Sequence, residues 1–193
     1  MHTVLGRLDR SLLEWLHRHA TPTGVAFFLA ISQLGSPATM TILALLGATF
    51  LIVRREWILL AGWAAAFGGN VLIDNWLKLA IRRPRPIYAS ALIHHPNWSY
   101  PSGHAMGALV GYGMLAYVIV VLWQPGGRAR TRIYAGAALL IAAIGVSRLY
   151  LGVHYLTDVV GGYVVGLVWL GTCICGIEIA RRWQLQPSLS QKA

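Results

Sequence analysis

Residues 147–179 read SRLYLGVHYLTDVVGGYVVGLVWLGTCICGIEI. The second part of this stretch, from about 154, is a continuous apolar run of the length that crosses a bilayer as a helix. Polar residues with a definite spacing mark its entry: Ser147 and Arg148, then His154, then Asp158. His154 and Asp158 are one helical turn apart, so they share a face. A carboxylate beside an imidazole fixes its tautomer and raises its basicity. A structural pair at a helix start explains this spacing less well, because Arg148 is adjacent and two further polar clusters fall on the same side of the membrane.

Working outward, the rest of the chain has the same character. Of its 193 residues, 56% are hydrophobic and only 11% charged, with a mean hydropathy of +0.59. Soluble domains carry about 25% charged residues. Five spans are predicted, at about 38–53, 57–81, 102–123, 132–149 and 154–179. The fold class is therefore all-α, a polytopic transmembrane helical bundle in a single membrane domain, 1–193. The runs are continuous rather than alternating, which excludes a membrane β-barrel. A sixth piece, Gly24 to Leu34, is apolar but short, and its sequence leaves open whether it crosses, dips in or lies flat. Residues 1–22 form an amphipathic interfacial segment in which Leu5, Leu8, Leu12, Leu13, Trp15 and Leu16 alternate with Arg7, Asp9, Arg10, Glu14 and Arg18. It does not have the pattern of a signal peptide. The polar tail, 184–193, is expected to be loose. Cys173 and Cys175, inside the last run, are expected to pack rather than to form a disulfide or metal pair. Gly107 with Gly111, and Gly162 with Gly166, are small residues four apart, a helix-packing pattern.

The net charge is +10. Most cations sit at the ends of apolar runs, where topology and anionic headgroups account for them, so no nucleic-acid partner is expected. Two clusters go beyond flanking charge. Asn70, Asp74 and Lys78 recur every four residues as one polar stripe, and Arg82-Arg83-Pro84-Arg85-Pro86 ends that helix. Asp74 paired with Lys78 can also serve only to orient the helix. Arg82 and Arg83 are expected to be an ordinary positive flank; Lys78 and Arg85 are the candidate phosphate ligands. Pro101-Ser102-Gly103-His104 opens the next span, where a helix start offers N–H groups to an anion. Ser102 there either caps the helix or donates to phosphate. His94, His95 and Trp98, in the long loop, either touch substrate or lie at the interface.

Lys78-x6-Arg85-Pro86, Pro101-Ser102-Gly103-His104 and Ser147-Arg148-x5-His154-x3-Asp158 together resemble the three-part signature of the type-2 phosphatidic acid phosphatase superfamily. The match covers roughly 57–179, the catalytic core. Within the superfamily the size and spans resemble bacterial lipid phosphatases of the phosphatidylglycerophosphate and undecaprenyl-diphosphate type. Soluble vanadate-dependent haloperoxidases share the motifs but not the hydrophobicity.

The resemblance implies a metal-independent, cofactor-free phosphatase acting on a membrane lipid phosphate. His154 would be the nucleophile and form a phosphohistidine, Asp158 would orient it, and His104 would serve as acid and then base. Lys78, Arg85, Ser102, Gly103 and Arg148 would hold the phosphoryl oxygens. A lipid phosphotransferase and a transporter of anionic lipid or phosphate are the alternatives. Charge asymmetry gives the orientation. Five cations (Lys78, Arg82, Arg83, Arg85, Arg148) lie on the motif side and eight, Lys192 included, on the other. A bacterial cytoplasmic (inner) membrane is expected, with the motifs facing the periplasm and the C-terminus in the cytoplasm.

Overall fold

The computed structural model describes residues 4–87 and 98–185. His94, His95, Lys192 and all but the first residues of the polar tail lie outside them. The described residues form seven helices: α1 (Val4–Arg18), α2 (Pro22–Gln33), α3 (Pro37–Val53), α4 (Trp57–Ile81), α5 (Gly103–Trp123), α6 (Gly127–Tyr150) and α7 (Leu156–Leu185). Five segments are long and apolar enough to cross a membrane: 22–53, α4, α5, α6 and 156–184.

Local sequence explains the boundaries. Thr21 caps α2 by accepting from Gly24 N at 3.1 Å, and Ser36 caps α3 by accepting from Thr39 N at 3.2 Å; a proline follows each cap. Arg82 ends α4 in the left-handed conformation, φ 49°. Two spans are longer than their hydropathy indicated. Helix α6 starts at Gly127 rather than at 132, because Arg128, Arg130 and Arg132 fit its exposed first turns at the interface. Helix α7 continues to Leu185, its polar end supported by Tyr117 Oη donating to Glu178 at 2.6 Å.

The short piece before α3 is an inclined helix. Its start lies by the end of α6, where Thr21 N donates to Tyr150 Oη at 3.1 Å. Its end lies deeper, where Leu34 O accepts from Tyr112 Oη at 2.8 Å. With 12 residues, α2 is about 18 Å long and does not reach across a bilayer by itself. Gly35-Ser36-Pro37 then redirects the chain into α3, which completes one broken crossing. Consequently α1, the start of α2 and the polar ends of α4, α5, α6 and α7 share one face of the bundle.

Helix α5 is the centre, packed against α3, α4, α6 and α7. Small residues allow it: a Cβ on Gly162 would come within 2.8 Å of the Ser102 carbonyl oxygen, so α5 and α7 meet backbone to backbone there. Away from the polar face, Leu51, Leu59, Trp63, Ala66, Met114, Leu170 and Cys173 form the apolar core. Cys173 and Cys175 are free thiols, one buried and one exposed. Leu46, Leu72, Leu139 and Val168 point outward, as lipid-facing residues do.

Candidate active site

A cavity of about 860 Å³ opens at the polar face. Lys78 and Asp74 enter it from α4, Arg85 from the segment after α4, Gly103 and His104 from the start of α5, Arg148 from the end of α6, and His154 from the turn before α7. Three stretches far apart in sequence thus converge on one chamber. Below the cations the chamber becomes apolar, lined by Leu29, Met40, Ala44, Leu45, Phe67 and Val71 from α2, α3 and α4. Leu45 and Val71 are exposed on the outer surface of the bundle, so the apolar end opens sideways.

His154 is 2% exposed and forms part of the chamber wall. Its Nε2 lies 3.1 Å from Arg85 Nη1, which also donates to Val153 O at 3.0 Å. A guanidinium can only donate, so Nε2 carries a lone pair and the ring proton is on Nδ1. Nδ1 faces Asp158 Oδ2 at 3.5 Å and Ser99 Oγ at 3.5 Å. Burial, then Arg85 and Arg148, push His154 down to about 4, against the opposing hydrogen bond to Asp158. At neutral pH the imidazole is uncharged, with its lone pair aimed at the cations.

Asp158 sits behind His154 and is fully buried. It accepts from Ser99 Oγ and from Tyr155 N at 2.9 Å, and pairs with Arg83 Nη1 at 2.6 Å. Lys78 pairs with Asp74 at 2.5 Å. Gly103 permits their approach to α5, because a Cβ there would lie 3.0 Å from Lys78 Nζ and 3.1 Å from an Asp74 oxygen. Arg148 is held by Nη1 donating to Ser32 Oγ, while its buried Nε has no partner among the described residues.

Ser102 does not cap α5 with its side chain. It is fully buried outside the chamber lining, with its N–H donating to Asp158 O at 3.0 Å and its hydroxyl without a partner among the described residues. Trp98 is partly exposed.

Several contributors carried no sequence signal of their own. Ser99 lies two residues before Pro101 and bridges Asp158 and His154. Ser32 comes from the short apolar piece. Arg83 departs from the expected surface flank: it pairs with Asp158 and with Asp9, and only about a tenth of its side chain is exposed. Arg82 remains exposed, with Nε donating to Leu79 O.

A helical membrane bundle with a cationic chamber, an oriented neutral imidazole and a sideways apolar opening has the features of an enzyme that handles lipid phosphates in the bilayer. The model of the PAP2 superfamily matches residues 55–182. A phosphatidylglycerophosphatase B of Bacillus subtilis is 34% identical over 139 residues, 72% of this chain and 68% of that one. A dolichyldiphosphatase of Saccharomyces cerevisiae is 32% identical over 127 residues, 61% of this chain and about half (51%) of the other. Among solved structures, a transmembrane PAP2 type phosphatidylglycerolphosphate phosphatase from Bacillus subtilis superposes with a TM-score of 0.83 at 30% identity, covering 92% of this chain and 88% of that one. LpxE of Aquifex aeolicus shares the fold, with a TM-score of 0.63 at 24% identity over 86% and 94% of the two chains. The chain belongs to the PAP2 superfamily, and it is a membrane-embedded lipid phosphatase of that family.

Proposed function

We propose that the protein hydrolyses the terminal phosphate of a lipid phosphomonoester or diphosphate, phosphatidylglycerophosphate first, through a phosphohistidine on His154. The observation that carries this reading is the continuity of the chamber. Its cationic end suits a phosphoryl group, and its apolar, sideways-opening end suits an acyl or prenyl chain that stays in hydrocarbon. Similarity to the Bacillus subtilis phosphatidylglycerophosphatase favours the glycerophospholipid; similarity to the dolichyldiphosphatase keeps polyprenyl diphosphates, undecaprenyl diphosphate included, and phosphatidic acid in the panel to be tested.

In this mechanism Lys78, Arg85, Arg148 and the Gly103 N–H receive the phosphoryl oxygens, whereas Ser102, buried outside the chamber lining, supports the start of α5 behind them. Phosphate draws Arg85 off His154 Nε2 and frees the lone pair. Nε2 forms a bond to phosphorus as the bond to the leaving lipid oxygen breaks, and His104 gives that oxygen a proton. Asp158 holds the Nδ1 proton while charge develops on the ring. His104 then takes a proton from water, whose oxygen displaces the histidine and releases inorganic phosphate. Phosphoryl transfer needs positioning and charge neutralisation above all, and three fixed cations supply both.

Those cations stand where other phosphatases use a divalent ion, so turnover is expected to be unchanged in EDTA. A loss restored by Mg²⁺ would contradict this. Inorganic phosphate release from one purified lipid in detergent, measured across the panel, tests the substrate assignment. It also separates a hydrolase from a phosphotransferase, which needs a second lipid as acceptor.

The single-domain organisation and the orientation are part of the same proposal. Helix α1 adds Arg7, Arg10 and Arg18 to the site face, which evens the simple cation count. The flanking residues still differ. Apart from Lys78, Arg83, Arg85 and Arg148, which serve the site, that face has four cations (Arg7, Arg10, Arg18, Arg82). The opposite face has seven among the described residues: Arg54, Arg55, Arg128, Arg130, Arg132, Arg181 and Arg182. This asymmetry favours a periplasmic site and a cytoplasmic C-terminus in a bacterial inner membrane. A reporter fused to the C-terminus that is active only in the periplasm would reverse it.

A further inference from the structure

Helix α1 turns an acidic residue, not only apolar ones, toward the bundle. Leu5, Leu8 and Trp15 face outward, whereas Gly6, Asp9 and Leu13 are buried. Asp9 is 3% exposed. Its Oδ1 accepts from Thr157 N at 3.0 Å, and its Oδ2 accepts from Thr157 Oγ1 at 2.6 Å and pairs with Arg83 Nη2 at 2.8 Å. The same guanidinium reaches the other way: Nη1 donates to Thr157 Oγ1 at 2.6 Å and pairs with Asp158 Oδ1 at 2.6 Å. Its plane lies over the Tyr155 ring, 4.2 Å from the centroid. The backbone is tied in as well, because Arg83 O accepts from Ser99 N at 2.8 Å. Arg83 therefore bridges two buried carboxylates, one on the interfacial helix and one behind the proposed nucleophile.

We propose that Arg83 and Asp9 are positioning residues, a clamp through which the N-terminal interfacial helix fixes Asp158 and thereby His154. The inference rests on the roles given above to His154 and Asp158. With Oδ1 held by Arg83 and Oδ2 by Ser99 and the Tyr155 N–H, Asp158 has little freedom to turn, and the Nδ1 proton has one place to point. Burying carboxylates together is costly unless a cation lies between them. Removing Arg83 leaves the buried carboxylates of Asp9 and Asp158 with no cation bridging them. Anchoring through α1 also places the outward side chains Leu5, Leu8 and Trp15 at the membrane surface, so the site is assembled where its lipid is found.

The electrostatic signature is specific. Among the described residues, the charged and titratable groups around the His154–Asp158 pair are Arg85 and Arg83 from the segment after α4, Lys78 and Asp74 from α4, His104 from α5, Arg148 from α6, and Asp9 and Arg10 from α1, with Tyr155 beside them. Arg83→Gln deletes one cation next to Asp158. The carboxylate then stabilises the His154 imidazolium more strongly, so His154 titrates higher, by about 1 pH unit. Asp9→Asn deletes an anion on the far side of Arg83 and shifts the titration the opposite way. Arg83→Lys keeps the charge and leaves the titration in place while loosening the fork.

The test uses the full chain in detergent or nanodiscs. It measures kcat, KM, inhibition by inorganic phosphate, and the His154 titration by NMR of isotope-labelled histidine. Expected results are a kcat about 10- to 100-fold lower in Arg83→Gln with KM within a few-fold, partial recovery in Arg83→Lys, and opposite titration shifts in Arg83→Gln and Asp9→Asn. Unchanged phosphate inhibition shows that the chamber is intact. If Arg83→Gln does not fold, Asp9→Asn carries the titration readout and Arg83→Lys the loss in kcat. Wild-type kcat with an unshifted His154 titration in Arg83→Gln or Asp9→Asn, or wild-type kcat in Arg83→Lys, overturns the clamp, as does a rise in KM alone. A fully active His154→Ala enzyme would instead overturn the catalytic reading on which the clamp depends.

Discussion

Replacing His154 by alanine is expected to lower kcat on the order of 10⁴-fold or more, because in the proposed mechanism it removes the atom that bonds to phosphorus rather than one that assists it. Among the described residues His154 has no substitute. Asp158 is fully buried behind the ring, and His104 approaches the chamber from a different helix. The variant should still bind phosphate, since Lys78, Arg85 and Arg148 remain. Inorganic phosphate should therefore stay a competitive ligand while product release stops. Alkaline quenching with a radiolabelled lipid should trap a phosphorylated wild-type chain and no labelled variant.

The pH dependence has a definite sign. In the proposed mechanism His154 attacks as the neutral ring, and its environment lowers the value at which it protonates to about 4. The competent form therefore persists from neutrality well into the acid range, and the His154 limb of the rate profile falls below pH 5. A variant retaining a tenth of wild-type turnover, or a label that survives without His154, would remove the nucleophile from the mechanism.

The second large effect is at Arg148. Lysine in its place keeps the charge but not the geometry, and kcat/KM should fall by about 10²- to 10³-fold. Arg148 is 8% exposed, its Nη1 donates to Ser32, and its Nε has no partner among the described residues, so in the proposed mechanism the remaining donors of the fork take the phosphoryl oxygens. An ammonium can satisfy the serine or the phosphate, not both in the same planar arrangement. Ser32→Ala should give a milder form of the same defect, because the guanidinium loses its tether but keeps its donors. Steady-state kinetics on a single lipid checks both. Arg148→Lys within tenfold of wild type would mean that the residue acts as a point charge only.

Much of this site could be read from spacing. His154 and Asp158 are one turn apart on one helix, so their pairing is local and visible in the sequence. Lys78 and Arg85 are joined by a proline-stiffened segment of fixed reach, and Gly103-His104 sits at a helix start. The contributions that could not be read are long-range. Asp9 looks like one more charge on the wet face of an amphipathic helix, and its burial depends on where Arg83 and Thr157 come to rest. Arg83 looks like a flank for the same reason. Ser32 lies in a piece too short to cross, and only the packing of α2 on α6 brings it to Arg148. The start of α6 and the end of α7 lie a few residues beyond their expected bounds because polar end turns lower hydropathy without ending a helix.

Sequence alone determined that the chain is a helical membrane bundle, since continuous apolar runs in hydrocarbon can satisfy their backbone only as helices. It also singled out the histidines, cations and carboxylate that the proposed mechanism uses, since those choices follow from residue type and local spacing. Tertiary structure decided what lies between them. It placed the interfacial helix on the site face, put Arg83 between two buried carboxylates and opened the chamber sideways among α2, α3 and α4. The physical reason is that a buried charge is tolerated only where a partner meets it, and the partner's position is set by helix packing rather than by the residues on either side of the charge.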